Sequence, residues 1–134
     1  MLLFLAPEQE PVQSTAPLFT ERSPAADYTE EELDLNAYCI RRPAATFFVR
    51  AIGDSMKDMG LHSGDLMIVD KAETPLQGDI VIAETGGEFT VKRLQLKPRI
   101  ALLPLNPAYP TLYPEELQIF GVVTAFIHKT RSTD

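Results

Sequence analysis

The tetrapeptide GDSM at residues 53–56 stands directly after an apolar run rich in β-branched and aromatic residues, TFFVRAI at residues 46–52. Such a run predicts a strand, and a Gly-Asp pair breaks the strand with a turn. Ser55 is therefore expected on a tight turn at a strand end, with backbone N–H groups beside it. A serine hydroxyl becomes a good nucleophile only when a base lies within hydrogen-bond reach. This stretch predicts both a β architecture and a candidate nucleophile.

The candidate base is Lys92, which lies in a second predicted strand, EFTVKRL at residues 88–94. Strand alternation puts Lys92 on the same face as Thr90. If that face points inward, desolvation lowers the lysine pKa from its usual value of about 10.4, and Ser-Lys pairs are a known form of the activated serine. The two histidines are weaker candidates, because His62 lies in a polar turn and His128 lies close to the C-terminus.

Several motifs, taken in order, resemble one protein family. They are GDSM at 53–56, GDLMIVD at 64–70, GDIV at 78–81 and FTVKRL at 89–94. Together with the separation of 37 residues between Ser55 and Lys92, they are similar to the LexA/UmuD family of self-cleaving Ser-Lys proteases. The resemblance covers the chain from about residue 23 onward, and it is closest to the UmuD type, the accessory subunits of error-prone translesion polymerases.

The resemblance implies a role in the SOS response to DNA damage. Ser55 would be the nucleophile, Lys92 the general base and the Met56 backbone N–H an oxyanion donor. A RecA filament on single-stranded DNA would stimulate cleavage of the N-terminal arm. The processed chain would form a homodimer that serves a Y-family polymerase subunit similar to UmuC.

The expected cleavage region departs from the family pattern. Relatives are cut between a small residue or cysteine and a glycine, but this chain has no glycine before Gly53. A gapless carry-over places the cut at Phe19 and Thr20, where phenylalanine would clash with a pocket shaped for a small residue. Two alternatives therefore stay open: a self-cleaving protease with a displaced cut, or a non-cleaving UmuD-like module that regulates the polymerase through contacts.

The fold class predicted from the strands is mostly β, in one compact domain of at least six strands with a curved, partly closed sheet. By resemblance this is the fold of LexA and the signal peptidases. Residues 1–27 contain four prolines and no glycine, so we expect an extended arm there. Residues 28–134 form the protease-like domain. Within it, a Gly-Asp turn followed by an apolar run occurs twice, at 63–70 and 77–84.

Charge argues against strong direct DNA binding. The chain of 134 residues carries 12 basic and 19 acidic side chains, a net charge of −7. Neither residues 1–45 nor residues 46–134 offer the basic surface on which nucleic-acid affinity depends. We also expect no helix-turn-helix of the kind a LexA-type repressor would carry.

The remaining expectations concern cofactors, metals and location. Cys39 is the single cysteine, which excludes an intrachain disulfide and fits a cytoplasmic protein. A signal-peptidase-like protease would need a membrane anchor, and we find no segment of the length that a membrane span needs. Three aspartates, Asp65, Asp70 and Asp79, are interpreted as turn and strand-end residues without a histidine or cysteine close by, so we expect no metal site and no cofactor.

Overall fold

One antiparallel sheet of seven strands organises the residues that this computed structural model describes, 2–4 and 32–131. In chain order the strands are β1 (Leu2–Phe4), β2 (Thr46–Ala51), β3 (Leu66–Asp70), β4 (Ile80–Thr85), β5 (Glu88–Gln95), β6 (Ala101–Leu103) and β7 (Gln118–Ile127). Helix is limited, in the described ranges, to α1 (Leu35–Cys39) and two 3-10 turns, Pro43–Ala45 and Lys57–Met59. The prediction of a mostly β domain with at least six strands is confirmed.

The sheet curls back on itself without closing. Its strand order is β1-β2-β3-β7-β4-β5-β6, so β1 and β6 are the edges. Cα atoms of β1 and β5 nevertheless lie within 8 Å of each other. Between the edge strands the described residues form no ladder, which makes the sheet open and strongly curved.

The edge strand β1 comes from the predicted arm. It pairs antiparallel with β2, with Leu2 opposite Ala51 and Phe4 opposite Val49. Residues 5–27, the rest of the arm, lie outside the described residues, and so does the expected cleavage region at Phe19 and Thr20. The arm residues that the structure describes therefore lie beside the strand that leads to Ser55.

The central strands are buried on both faces, as their continuous apolar runs predict. In β3 three consecutive residues are almost fully buried, since Met67, Ile68 and Val69 are 0%, 3% and 0% exposed. Two hydrophobic clusters result. One contains Val49, Ala51, Met56, Leu61, Met67, Val69, Ile82 and Val91, and the other contains Val81, Ala83, Leu94, Leu102 and Val122.

The two Gly-Asp turns have the same structure. In each, Asp Oδ2 accepts a hydrogen bond of 2.8 Å from the backbone N–H three residues earlier. Each glycine has a positive φ, +95° in the first turn and +87° in the second, which favours glycine. The first turn exchanges two backbone hydrogen bonds with Ala51 at the end of β2, and the second exchanges two with Leu94 in β5. The predicted repeat therefore consists of two turns of the same structure, each hydrogen-bonded to a strand of the sheet.

Strand β7 is continuous through Gly121, although the glycine suggests an interruption in sequence. A Cβ at this position would lie 2.6 Å from Val69 Cγ1 and 3.1 Å from the Asp70 carbonyl oxygen. The register with β4 also shifts here, because Ile82 faces Gly121 whereas Ala83 faces Ile119. Glycine is needed for the close approach of β3 rather than to end the strand.

Candidate active site

The two predicted site residues meet in the folded chain. Lys92 Nζ lies 3.1 Å from Ser55 Oγ, across a sequence separation of 37 residues. The same amine donates a hydrogen bond of 2.6 Å to Thr90 Oγ1. Thr90 lies two positions before Lys92 on β5, on the face that strand alternation predicts. The amine is thus held between two hydroxyl groups.

Burial sets the electrostatics of Lys92. The residue is 6% exposed, and no carboxylate of the described residues lies within 4.0 Å of its amine. Desolvation without a compensating negative charge disfavours the ammonium form, so it lowers the pKa of Lys92 below the usual lysine value. A lysine in this environment can supply a neutral amine, which a serine hydroxyl needs as a proton acceptor.

The loop that carries Ser55 is anchored through its carbonyl groups. The Asp54 carbonyl accepts from Asn106 Nδ2 at 2.8 Å, and the Ser55 carbonyl accepts from the Leu105 N–H at 2.7 Å. The Met56 carbonyl accepts from Met59, which forms the 3-10 turn that follows. The Met56 side chain, 2% exposed, belongs to the first hydrophobic cluster and fixes the loop to the core.

These anchors also orient the amides. In a trans peptide the N–H points opposite to the preceding C=O. Because the Ser55 carbonyl points to the Leu105 N–H, the Met56 N–H points away from Leu105. The orientation is compatible with the oxyanion role predicted for Met56, which stays a prediction.

Sequence reasoning missed two residues of this site. Strand alternation places Thr90 on the Lys92 face, and this spacing of two residues on one strand is the signal that identifies it as a neighbour of the amine. Asn106 lies in a proline-rich loop more than fifty residues from Asp54, and nothing local in the sequence connects the two. It is 8% exposed and also accepts from the Ala108 N–H, so its side chain is fixed at both ends.

The expectation that no histidine lies near the aspartates is wrong for Asp65. His128 Nδ1 is 2.7 Å from Asp65 Oδ1, and His62 Nδ1 is 4.0 Å from Asp65 Oδ2. His62 is three residues away and lies in an exposed turn, as predicted. His128 is brought in by the antiparallel pairing of β3 with β7, where Leu66 faces Ile127. Because Asp65 and His128 are 63 residues apart, no local sequence pattern predicts their contact.

Comparison with known proteins places this chain in one family. The family profile described as Peptidase S24-like matches residues 15–124. The chain belongs to the Peptidase S24-like family. The predicted membership of the LexA/UmuD group of self-cleaving Ser-Lys proteases is thereby confirmed.

Named relatives cover most of the chain. Protein SamA of Salmonella typhimurium is 90% identical over the whole of both chains. Protein ImpA of Escherichia coli is 62% identical over 86% of this chain and 85% of its own length. Protein MucA of Escherichia coli is 47% identical over 76% of this chain and 73% of its own length. The whole chain, including the predicted arm, therefore has a counterpart in SamA.

The helices of the described residues are short, and none has the length and apolar character needed to cross a membrane.

Proposed function

We propose that this chain is a self-cleaving serine endopeptidase of the SOS response. Its processed homodimer acts as the accessory subunit of an error-prone translesion polymerase. The observation that carries the enzymatic part is the 3.1 Å approach of Lys92 Nζ to Ser55 Oγ, with the lysine buried and its pKa lowered. Membership of a peptidase family supports the same conclusion.

The reaction has two halves. Neutral Lys92 takes the proton of Ser55 Oγ as this oxygen bonds to the carbonyl carbon of an arm peptide bond. The resulting oxyanion accepts hydrogen bonds from backbone N–H groups, with Met56 as the proposed donor. The C–N bond then breaks, and the Lys92 ammonium gives its proton to the leaving amine. In the second half a water molecule gives a proton to Lys92 and attacks the Ser55 ester. The ester C–O bond then breaks, Lys92 returns the proton to Ser55 Oγ, and the new carboxyl terminus is released.

The arm is the proposed substrate. Pairing of Leu2–Phe4 with β2 supports it, because it brings arm residues to the sheet edge beside the strand that leads to Ser55. A peptide that adds to a sheet edge is held by main-chain hydrogen bonds, with side-chain pockets giving specificity. The region of Phe19 and Thr20 is the proposed place of the cut, in the same chain or in the partner of the homodimer.

Intact mass measurement tests the cleavage. Tag-free protein is incubated with a RecA filament on single-stranded DNA, and separately at alkaline pH without RecA. We expect a discrete N-terminal fragment whose end identifies the bond, and its loss in the Ser55→Ala variant. A chain that keeps its full mass in both incubations contradicts self-cleavage.

A second function is favoured by one specific observation, the absence of glycine before Gly53. The arm lacks the peptide bond between a small residue and glycine at which relatives are cut. Such a chain would stay intact and act as a UmuD-like binding module through contacts with the polymerase. The mass experiment separates the two functions. Binding of the polymerase by a chain that stays intact supports this second function alone.

Size-exclusion chromatography tests the partner. We expect a homodimer that is retained by its cognate Y-family polymerase subunit and shows no specific duplex DNA binding, in keeping with the net charge of −7. Removing residues 1–22 takes away β1 and leaves the β2 edge free to pair with another chain. Retention should therefore persist or strengthen. A truncated chain that is monomeric and ignores the polymerase contradicts the accessory role.

A further inference from the structure

The strongest unassigned cluster of side chains consists of His62, Asp65 and His128. One potential ligand atom from each of the three lies within 4.8 Å of the other two. We propose that these residues bind a divalent transition-metal ion of the zinc type through two imidazoles and one carboxylate. The site is separate from the Ser55 and Lys92 pair, and the inference does not rest on the proposed function.

The ligand atoms are close to the spacing that an ion requires. Two ligands about 2.0 Å from a tetrahedral Zn²⁺ are about 3.3 Å apart. His128 Nδ1 and Asp65 Oδ1 are already 2.7 Å apart, so an ion can replace the proton that these atoms share. The imidazole rings of His62 and His128 lie with centroids 4.7 Å apart, and a small rotation of an exposed ring brings the third ligand into range.

The surroundings hold the ligands in place. Asp65 is a buried residue, 5% exposed, and its Oδ2 accepts from the His62 N–H at 2.8 Å, which fixes the carboxylate. The Gly60 carbonyl lies 2.8 Å from His62 Nδ1, and a backbone carbonyl on one ring nitrogen is the usual outer partner of a metal-binding histidine. Both histidine side chains are about half exposed, 50% and 41%, so an ion can enter from solvent.

The matched turn shows that this type of turn does not require a histidine at the position of His62. The second Gly-Asp turn makes the same hydrogen bonds with Leu76 at the position that His62 occupies in the first. The His62 imidazole is therefore not needed for the hydrogen bonds that the two turns have in common. Imidazole with carboxylate suits Zn²⁺, Ni²⁺ or Cu²⁺, whereas Mg²⁺ and Ca²⁺ take oxygen ligands. Three protein ligands leave a fourth position to water.

Zinc titration of the tag-free, full-length protein by calorimetry tests the site, with Mg²⁺ as the comparison ion. We expect one Zn²⁺ per chain, no comparable Mg²⁺ binding, and an unfolding midpoint that rises with Zn²⁺ concentration. The variants His62→Gln and His128→Gln should each weaken Zn²⁺ binding by about tenfold or more. Asp79→Asn in the matched turn and Cys39→Ser should bind as the wild type does.

The zinc affinities of the variants decide whether the site exists. Loss of affinity in both histidine variants, with both controls intact, supports the site. The proposal is overturned if the wild type shows no saturable binding at millimolar Zn²⁺, or if either histidine variant binds as tightly as the wild type. Both substitutions are at exposed positions, and the unfolding midpoint of each metal-free variant verifies that it is folded.

Discussion

The two members of the proposed dyad are held in opposite ways. Lys92 lies within β5, between β4 and β6, and its side chain is buried. Ser55 lies on a loop whose preceding residues, 52–54, are exposed, and hydrogen bonds to the loop carbonyls hold it. The two Gly-Asp turns are hydrogen-bonded to the strands that carry or precede these residues. The first turn binds Ala51, at the end of β2 before Ser55, and the second binds Leu94, two residues after Lys92.

The sheet around Lys92 therefore controls the electrostatics of the base, whereas the loop around Ser55 controls the position of the nucleophile. The sheet around Lys92 keeps water away and thereby lowers its pKa. The loop around Ser55 keeps the nucleophile within reach of a peptide, and hydrogen bonds from Leu105 and Asn106 fix its position. Changes on the β5 side should therefore alter the pH dependence of cleavage, and changes on the loop side should alter its rate.

The largest effect is expected from removing either reacting group. Ser55→Ala and Lys92→Ala should each lower the cleavage rate by about 10³-fold or more, because nucleophile and base act as a unit. Lys92→Arg should fail as well, since guanidinium does not deprotonate. Intact mass over time measures the rate, and the exposed Lys97→Ala serves as the control. Cleavage at the wild-type rate in a folded Lys92→Arg chain would refute lysine as the base.

The loop side is tested by Asn106→Ala. This variant removes the donor to the Asp54 carbonyl, so we expect cleavage to slow by about 10- to 100-fold through misplacement of Ser55. The free energy of unfolding should fall by about 1–2 kcal/mol, measured by urea denaturation. Gln95→Ala also removes a side-chain hydrogen bond to a carbonyl, that of Arg99 at an exposed position, and should leave cleavage unchanged. Equal rates in the two variants would show that Asn106 does not position the loop.

The β5 side is tested by Thr90→Val, which keeps the side-chain shape and removes the hydroxyl that accepts from Lys92. Loss of this acceptor disfavours the ammonium, so the pKa of Lys92 should fall further and cleavage should set in at lower pH. The plateau rate should drop by about tenfold as the amine loses one orienting contact. Rates measured across the alkaline range check both. An unchanged onset, with Thr124→Val as the control, would mean that Thr90 has no influence on the amine.

The smallest effect is expected from substitutions in the two Gly-Asp turns. Asp65→Asn replaces the buried carboxylate that lies 2.7 Å from His128 Nδ1, and should lower the free energy of unfolding by about 1–2 kcal/mol. Asp79→Asn in the second turn, which has no histidine contact, should cost about 0.5 kcal/mol or less, because Asp79 is only partly buried and asparagine keeps an amide oxygen for the same backbone N–H. Urea denaturation of both variants measures the difference. Equal losses would show that the His128 contact contributes no stability.

Local pattern predicted the strands and the face of Lys92, because strand alternation and glycine turns are encoded within a few residues. It also predicted the matched turns as a repeat. It did not predict that Asn106 anchors the Ser55 loop or that His128 reaches Asp65. Both contacts join positions more than fifty residues apart, and strand order in the sheet decides them. The arm strand β1 was hidden for the same reason, since its partner is set by the free edge of β2.

The central claim is that Lys92 supplies a neutral amine to Ser55, and its ionisation can be followed directly by NMR of the lysine Cε and Nζ signals. The Lys92 signals, assigned with the Lys92→Arg variant, should lose their proton at lower pH than the exposed lysines Lys57 and Lys97, because burial lowers the Lys92 pKa. Spontaneous cleavage should rise over the same pH range, since only the deprotonated amine accepts the Ser55 proton. A Lys92 that titrates together with the exposed lysines, with a cleavage rate that is flat as the pH rises, would contradict the account.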